Sequence, residues 1–406
     1  MADIKNYQKE KEKRTNMARA ASDESKEISY RDKIRQYRRS RLYRVLAIGM
    51  VLILLGVGLL AFYQNITYDS YDVANSISIH NVSEATTTPL GNAVLTYSKD
   101  GAHLNNEKGQ IVWNQTYEMQ RPMLAKCQNV VAIADYNGRC VYVYNTEGKL
   151  GEISTTMPIK AISVSAKGMV AAVLEDGDVT WIRGYSADGK TLLDFKTTMK
   201  NYGYPISVSL SPSGILCAVS YIYMDMGAVK SSVAFYNFGE VGQNRVDNFV
   251  GGHDYADTLV PYVQFMNDHS FFAVGDDRLV FYSGNQKPEN VQNVLFTEEL
   301  QAVYYNEEYV GLVFLEGAGN GRRLEIYDEK GNLVRSHAFE MDYIDIMFED
   351  DTFIIYSDTH LYVSRMNGKV KYDGLFTEPA ALLVPTGKAY RYLMVTKDSI
   401  EVIRLR

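Results

Sequence analysis

The stretch DEKGNLVRSH, from Asp328 to His337, contains a turn flanked by strand-forming residues. Related phrases recur along the chain, as NEKGQIVW (Asn106–Trp113), NTEGKL (Asn145–Leu150), SADGKT (Ser186–Thr191) and RMNGKV (Arg365–Val370). Each copy carries a glycine, the residue that a short loop with positive φ favours. The recurrence predicts one such turn in each unit of a repeated β structure.

A second series of turns lies inside tight hairpins of β-branched and aromatic residues. Eight Asp or Asn residues mark these turns, because their side chains bond the local backbone: Asp100, Asn137, Asp176, Asp225, Asp276, Asn320, Asp358 and Asp398. The glycines of the first series follow the hairpins in order: Gly109, Gly148, Gly189, Gly239, Gly284, Gly331 and Gly368.

Each unit therefore holds four strands in roughly 40 residues, which is typical of a β-propeller blade. Eight hairpins predict an all-β, eight-bladed β-propeller, with seven blades as the alternative; a β-sandwich would not need so constant a period. SISIHNV (Ser76–Val82) is a strand without a hairpin, and the last hairpin ends at Arg406 without an outer strand. We expect these two strands to pair and close the ring.

An uncharged apolar run, Val45–Tyr63, precedes the repeats. As a helix it would span about 28 Å, close to the hydrocarbon core of a bilayer. A buried core helix would have a polar face, and a cleavable signal peptide would have a short basic region before it and a small-x-small site after it. We interpret the run as an uncleaved transmembrane anchor.

The charge of the chain divides at this run. Residues 1–44 carry +7, whereas the whole chain carries −7, so the remainder carries −14. Basic residues adjoin the run on its N-terminal side, and no Lys or Arg follows it until Lys99. The positive-inside rule then predicts a cytoplasmic N-terminus and an extracytoplasmic C-terminal domain at the cell membrane. Nucleic acid is not an expected partner, because the acidic body would repel phosphates.

The predicted organisation has four parts. A basic cytoplasmic arm covers residues 1–44, disordered over 1–21 and helical next to the membrane; the anchor covers 45–63, a linker 64–75 and the propeller 76–406. Membrane lipid is an expected partner of the anchor and the arm, since each Lys or Arg near an anionic leaflet contributes about 1 kcal/mol.

Short motifs carry a family resemblance. GQIVWNQ (Gly109–Gln115) resembles the repeat of quinoprotein-type propellers, and LSPSG (Leu210–Gly214) is similar to a strand-ending phrase of other bacterial propellers. The whole layout resembles an uncharacterised family of single-pass, membrane-anchored propeller proteins of Gram-positive bacteria. The resemblance implies the fold and the location, and it brings no activity. The chain lacks the adjacent Cys pair that some quinoprotein dehydrogenases place at the cofactor, so no cofactor is implied.

Residues with catalytic or metal-binding potential are scattered, and no catalytic or metal site is predicted. None of the six histidines has metal-ligand spacing: His80, His103, His253, His269, His337 and His360. The acidic stretch LEDGDV (Leu174–Val179) stands where a hairpin turn belongs. The longest interval between blades contains VGGHDYADTLVPY, in which five residues either face a ligand from a loop or belong to a polar spacer: Gly251, Gly252, His253, Asp254 and Asp257.

The three cysteines, Cys127, Cys140 and Cys217, are too few for a disulfide framework. We interpret them as small buried hydrophobic residues, and pairing of Cys127 with Cys140 stays open.

Two functional hypotheses remain. In the first, the propeller is a non-enzymatic binding or scaffold module that holds an envelope protein or an exported polymer. The 31 tyrosines favour it, because tyrosine supplies contact area with a polar tip. In the alternative, the chain is an envelope enzyme, a lyase or hydrolase with its site in the propeller funnel. That alternative needs acid, base or metal-ligand side chains converging from several blades.

Overall fold

The structure is a computed structural model, and it describes residues 2–78, 85–177, 179–198, 203–317, 319 and 321–406. The chain forms two compact units, Met1–Ile66 and Thr67–Arg406.

The first unit is a single helix, α1 (Ala2–Asn65). The expectation of disorder over residues 1–21 is therefore wrong for the described part of the arm. Ala, Lys, Arg, Glu, Gln and Met are strong helix formers, and neither glycine nor proline occurs before Gly49. Within the described residues, one stretch of α1, Ile34–Gly58, is long and apolar enough to cross a membrane.

The second unit contains eight four-stranded antiparallel sheets. It opens with β1 (Tyr71–Ser78). Blade 1 comprises β2 (Thr86–Leu90), β3 (Ala93–Tyr97), β4 (Gly101–Asn105) and β5 (Ile111–Thr116). Blade 2 comprises β6 (Pro122–Cys127), β7 (Val130–Asp135), β8 (Cys140–Asn145) and β9 (Lys149–Ser154). Blade 3 comprises β10 (Ile159–Val164), β11 (Val170–Asp176), β12 (Val179–Tyr185) and β13 (Thr191–Thr198).

Blade 4 has longer strands and an insertion. It comprises β14 (Tyr204–Leu210), β15 (Leu216–Asp225), β16 (Ala228–Asn237) and β17 (Phe249–Tyr255). Between β16 and β17 lie a short helix, α2 (Glu240–Gln243), and a 3₁₀ turn (Val246–Asn248).

The remaining blades follow in chain order. Blade 5 comprises β18 (Tyr262–Phe265), β19 (Ser270–Val274), β20 (Arg278–Ser283) and β21 (Glu289–Leu295). Blade 6 comprises β22 (Leu300–Tyr305), β23 (Tyr309–Glu316), β24 (Gly321–Asp328) and β25 (Leu333–Phe339). Blade 7 comprises β26 (Asp345–Glu349), β27 (Thr352–Tyr356), β28 (His360–Arg365) and β29 (Val370–Leu375). Blade 8 comprises β30 (Leu382–Pro385), β31 (Arg391–Val395), β32 (Ser399–Leu405) and the N-terminal β1.

These sheets confirm the eight-bladed propeller and exclude the seven-bladed alternative. The Asp and Asn residues predicted to mark the hairpins lie at or beside the turns between the second and third strands of their blades. Asn320 of that series falls outside the described residues. The described residues of LEDGDV belong to such a turn, since β11 ends at Asp176 and Gly177 has a φ of +62°, while Asp178 lies outside the described residues. Because each hairpin needs local backbone capping, the polar marker was a reliable guide to blade number.

The first and last strands close the ring. β1 pairs antiparallel with β32, with Tyr71 opposite Leu405 and Ser78 opposite Ser399. The predicted pairing of the two chain-end strands is confirmed, although β1 begins inside the 64–75 stretch expected to be a linker. Residues 79–82 of the predicted strand lie outside the described residues.

Apolar clusters fill the interfaces between blades. Eight clusters occur, one at each junction around the ring. The junction of the last blade with the first holds Val94, Leu393 and Val402. First strands of adjacent blades contact one another, as β10 contacts β14 and β14 contacts β18, which places them at the axis. Each blade thus buries both faces against its neighbours, the source of stability in a radial repeat.

The recurring phrase is a capped turn between the third and fourth strands. The Asp328 carboxylate accepts hydrogen bonds from the backbone N–H groups of Lys330 and Asn332, at 2.9 and 2.8 Å. Gly331 has a φ of +84°, and a Cβ added there would lie 2.7 Å from Phe281 of the preceding blade. The turn therefore packs closely against the blade before it, which is why it must be both tight and small.

The same contact recurs in other blades. Three further glycines of the series lie against the outer strand of the preceding blade. Gly109 lies against Ile77, Gly189 against Glu152 and Gly368 against Arg335. Gly148 and Gly284 do not make this contact. Gly239 differs in conformation as well, because its φ is −82° and it precedes α2 instead of closing a tight turn. The prediction of a glycine turn at Gly239 is wrong, and blade 4 has the α2 insertion in its place.

Candidate functional site

The segment that the sequence singled out forms most of β17, the outer strand of blade 4. Gly251 lies opposite Phe235 and Asp254 opposite Ser232 of β16. Gly251, Gly252, His253 and Asp254 are therefore strand residues, and the expectation of a loop there is wrong. Asp257 follows the strand and has no assigned helix or strand. The two glycines weaken the strand signal in the sequence, but pairing with the long β16 holds the segment extended.

A cavity of about 550 Å³ lies between blade 3 and blade 4. Gly252, His253 and Asp254 line it, whereas Gly251 and Asp257 are not among the described lining residues. The aromatic residues that line the cavity gave no signal in the sequence, because they carry only an ordinary strand pattern.

At the cavity, blade 4 lacks the tight glycine turn. In blades 1, 3, 6 and 7 that turn packs on the preceding blade. In blade 4 the α2 insertion replaces it, and Val246 and Asp247 of the insertion line the cavity together with Phe195 and Lys196 of β13. The cavity thus lies beside the apolar cluster of the junction between blades 3 and 4, where the insertion stands in place of the turn.

Aromatic rings form the walls of the cavity. Among the residues that the structure describes, five rings line it: Phe195, Tyr221, Tyr223, Tyr236 and Phe249. The Phe195 and Tyr236 rings stack with centroids 4.4 Å apart, and Phe249 meets Tyr236 edge-on at 6.0 Å. The hydroxyls of Tyr221 and Tyr236 lie 2.8 Å apart and share a hydrogen bond. Ala234 and Gly252 lie opposite each other in the pairing of β16 with β17, and these small residues leave room beside the rings.

The charged residues that line the cavity lie on different faces of their strands. The Lys196 ammonium lies 5.7 Å from the Trp181 ring, opposite it in blade 3, and the imidazole of His253 meets Tyr255 edge-on at 5.1 Å. Tyr255 belongs to the apolar cluster between blades 4 and 5, on the other face of β17. Asp254 shares the opposite face with Gly252, because side chains alternate along a strand. Asp247 lies in the 3₁₀ turn.

The backbone of the insertion is unusual. Asp247 and the next residue, Asn248, have φ values of +54° and +59°, the left-handed region that residues with a Cβ seldom adopt. The side chain of Asn248 donates a hydrogen bond to the carbonyl of Asn237 at 3.1 Å, which helps to hold the turn. Such conformations persist only where the surroundings fix them, and they cluster at ligand sites.

The axis of the ring is a second place where residues from several blades meet. Lys126 on β6 is exposed, yet burial by surrounding protein lowers its pKa. Burial likewise raises the pKa of Asp345 on β26, and the charge of Lys126 partly offsets that shift. The charges of Lys126 and Asp345, from blades 2 and 7, are thus close enough to interact. The Lys126 ammonium also donates to the carbonyl of Pro89 on β2, at 3.3 Å.

One end of the axis is bridged by the loops between first and second strands. Gln128 donates a hydrogen bond to the carboxylate of Glu307 at 2.9 Å, from blade 2 to the opposite blade 6. Asn267 donates to the carbonyl of Glu307, and the backbone N–H of Ser213 donates to Asp268, at 2.9 and 2.8 Å. These bonds link the loops of blades 2, 4, 5 and 6 at that end of the axis.

The histidines do not converge. His360 lies 2.6 Å from Asp373, and the His337 ring stacks on Tyr362 at 5.0 Å, while His80 lies outside the described residues. In the part of the chain that the structure describes, no three His, Cys, Asp or Glu side chains are grouped to hold a metal ion.

The cysteines are free. Cys127 ends β6 opposite the start of β7, whereas Cys140 begins β8 near the far end of β7. The two thiols therefore lie at opposite ends of blade 2, and the pairing that the sequence left open does not occur. Cys217 is fully buried, as expected of a small hydrophobic residue, while Cys127 and Cys140 are half-buried.

A family model described as "Family of unknown function (DUF5711)" matches residues 64–405. The chain belongs to the DUF5711 family. The match covers the whole propeller of this DUF5711 chain, and a search of curated proteins returned no significant match.

Solved structures share the fold of the DUF5711 chain. Apo AztD from Citrobacter koseri matches with a TM-score of 0.51 at 10% identity, over 76% of this chain and 95% of that one. Sqt1 from Chaetomium thermophilum, bound to the N-terminus of ribosomal protein L10, matches with a TM-score of 0.50 at 11% identity, over 83% and 100%. BamB from Moraxella catarrhalis matches with a TM-score of 0.48 at 10% identity, over 83% and 100%. At these identities the likeness establishes the propeller fold alone.

Proposed function

We propose that the chain is a membrane-anchored binding module whose propeller lies outside the cytoplasm of a Gram-positive cell and holds a partner protein of the envelope. The proposal has two parts, the anchor and the binding surface, and each has its own support.

The anchor is supported by the composition of α1. Ile34–Gly58 is apolar over a length sufficient for a bilayer, and its large side chains are exposed, Leu54 by 63%. Exposed apolar residues at this density need a lipid or protein environment. The basic residues lie on the N-terminal side of the run, which supports a cytoplasmic N-terminus. A cleaved signal sequence has the same composition, so the experiment must distinguish a cleaved signal sequence from an uncleaved anchor.

One observation supports the proposed binding surface: the hairpin of blade 4 extends beyond its outer strand. Its strands β15 and β16 have ten residues each, and β17 covers only the part of β16 between Ser231 and Tyr236. Beyond that part, the hairpin end exposes Met224 by 60%, Met226 by 101% and Val229 by 51%. Flexible methionine side chains adapt to apolar protein surfaces, whereas a sugar polymer offers few apolar groups. A protein partner therefore fits better than an exported polymer.

The binding surface is tested by site-specific photocrosslinking in cells. A photoreactive residue in place of Met226 should crosslink a discrete envelope protein, while one in place of the exposed Val112 of blade 1 should not. The double variant Met226→Ser, Val229→Ser should lose the crosslink formed from position 224. Crosslinks that are equally frequent from blades 1 and 4, or a pure turnover activity on envelope polymers, would contradict the proposal.

The anchor is tested in the same cells by tags at both chain ends. An uncleaved anchor predicts both tags on one membrane-bound chain, with only the C-terminal tag accessible to external protease. A shortened chain that begins near residue 64 would instead establish a cleaved signal sequence.

A further inference from the structure

We propose that the cavity between blades 3 and 4 binds an organic cation, an amine or alkylammonium group. The group belongs either to a small molecule or to a lysine side chain of a protein, because both present the same chemistry. The inference goes beyond the proposed function, since it requires neither the anchor nor the hairpin partner.

The walls of the cavity suit a cation that is poorly hydrated. Phe195, Tyr223, Tyr236 and Phe249 line it from two blades. The face of an aromatic ring attracts a cation within about 6 Å, and several rings around one space form an aromatic cage. The Phe249 side chain is 46% exposed, so its ring is accessible.

The charges of the cavity favour a cation over an anion. Asp247 and Asp254 both line it, both are exposed, and within the described residues neither carboxylate has a hydrogen-bond or ion-pair partner. Among the described lining residues the lysine is Lys196, and its ammonium lies 5.7 Å from the Trp181 ring. The nearest hairpin lysine, Lys230, is paired with Asp225 at 2.7 Å. Two uncompensated carboxylates beside aromatic walls make the cavity a site for positive charge.

The size of the cavity agrees with a small ligand or a single side chain. Its volume of about 550 Å³ lies within the usual range of ligand sites. At this junction the α2 insertion stands in place of the glycine turn, and Val246 and Asp247 of the insertion line the space.

Choline and its neutral isostere 3,3-dimethylbutan-1-ol provide the decisive pair of probes, measured by calorimetry on the full chain in detergent. Choline should bind ~5-fold or more tightly than the isostere, because the shape is shared and only the charge differs. Equal binding of the two probes, or binding of neither at millimolar concentration, would overturn the proposal.

Variants locate the site. Phe249→Leu keeps an apolar side chain but removes the ring, and it should weaken choline binding by a factor of ~3–10. The double variant Asp247→Asn, Asp254→Asn should weaken choline binding further, and the remaining affinity should depend less on salt concentration. Leu333→Ala in blade 6 and Asp398→Asn in blade 8 are the matched controls, and both should bind choline as the wild type does. Loss of binding in the controls alone would place the site elsewhere and refute the assignment.

The two sources of the cation are separated by a second ligand. A short peptide with one trimethyllysine should compete with choline if the natural group is a side chain, and neighbouring residues should then strengthen its binding. If free choline binds tighter than the peptide, the site serves a small molecule. Either result supports a cation site, whereas failure of both ligands refutes it even if photocrosslinking at Met226 succeeds.

Discussion

The hydroxyl of Tyr71 accepts a hydrogen bond from the backbone N–H of Thr377 at 2.7 Å, although the two residues are 306 positions apart. The Tyr71 ring also meets Tyr372 and Phe376 edge-on, at 6.5 and 6.2 Å. The strand that closes the ring is thus bound to β32 on one side and packed against blade 7. Closure depends on the N-terminal strand as much as on the last hairpin.

Deletion of that strand should therefore open the propeller. A chain that lacks residues 1–66 retains β1 and should melt as one cooperative unit. A chain that lacks residues 1–78 leaves the edge of β32 unpaired and should be strongly destabilised and prone to aggregation. Calorimetry and size-exclusion chromatography of the two deletions measure the difference.

A point variant tests one contact of β1 without shortening the chain. Tyr71→Phe removes only the hydrogen bonds of the hydroxyl and should cost about 1 kcal/mol of unfolding free energy. Equal stability of the two deletions would mean that β1 does not close the ring.

The packing of the glycine turns predicts a contrast between two glycines. Gly331→Ala should destabilise the chain by about 3 kcal/mol, because the new Cβ would meet both Phe281 and Gln292 and must also adopt a positive φ. Gly177 also has a positive φ, +62°, but nothing lies within 4 Å of an added Cβ. Gly177→Ala should therefore cost only about 1–2 kcal/mol, the backbone contribution.

Denaturant unfolding of both variants gives the comparison. Equal losses would show that the recurring glycine serves the conformation of the turn alone and not the contact between blades.

The sequence predicted the repeat because its signals are local. A hairpin needs a capping Asp or Asn and a compact turn needs glycine, so residues such as Asp328 and Gly331 report the blade count without tertiary information. The closing strand was also predictable, because the last hairpin lacked a partner.

The cavity was not predictable in the same way. Phe195 and Tyr236 look like ordinary strand residues, and only the junction of two blades brings them together. Gly239 fits the series in sequence, yet the following residues form α2. The helical arm was missed for a different reason, because its charged residues suggested disorder while their helix propensity favoured α1.

The carboxyl of Glu349 predicts a pH-dependent stability. Burial raises its pKa to about 7, and the neighbouring charge of Asp350 adds to the shift. The folded chain therefore holds this proton more tightly than the unfolded chain, whose glutamate titrates near its ordinary value. The stabilisation is fully present below that ordinary value and is lost as the pH rises through about 7.

The variant Glu349→Gln removes the titration. Wild-type unfolding free energy should fall by about 1–3 kcal/mol between pH 5 and pH 8 from this group, after allowance for screening by solvent. The variant should lack that part of the decrease and be the more stable chain at pH 8, while Glu378→Gln, at an exposed position, should follow the wild type. A variant whose profile coincides with that of the wild type would exclude Glu349 as the titrating group.

The free thiols predict an order of reactivity. Cys217 is fully buried, and burial raises its pKa well above the usual value, so it should resist maleimide in the folded chain. Burial also raises the pKa of Cys127, to about 11, which slows its reaction because the thiolate is the nucleophile. Mass spectrometry should find slow labelling of Cys127, no labelling of Cys217, and three labels without reductant once the chain is unfolded. A label count of one in the unfolded, unreduced chain would reveal a disulfide and contradict the placement of Cys127 and Cys140 at opposite ends of blade 2.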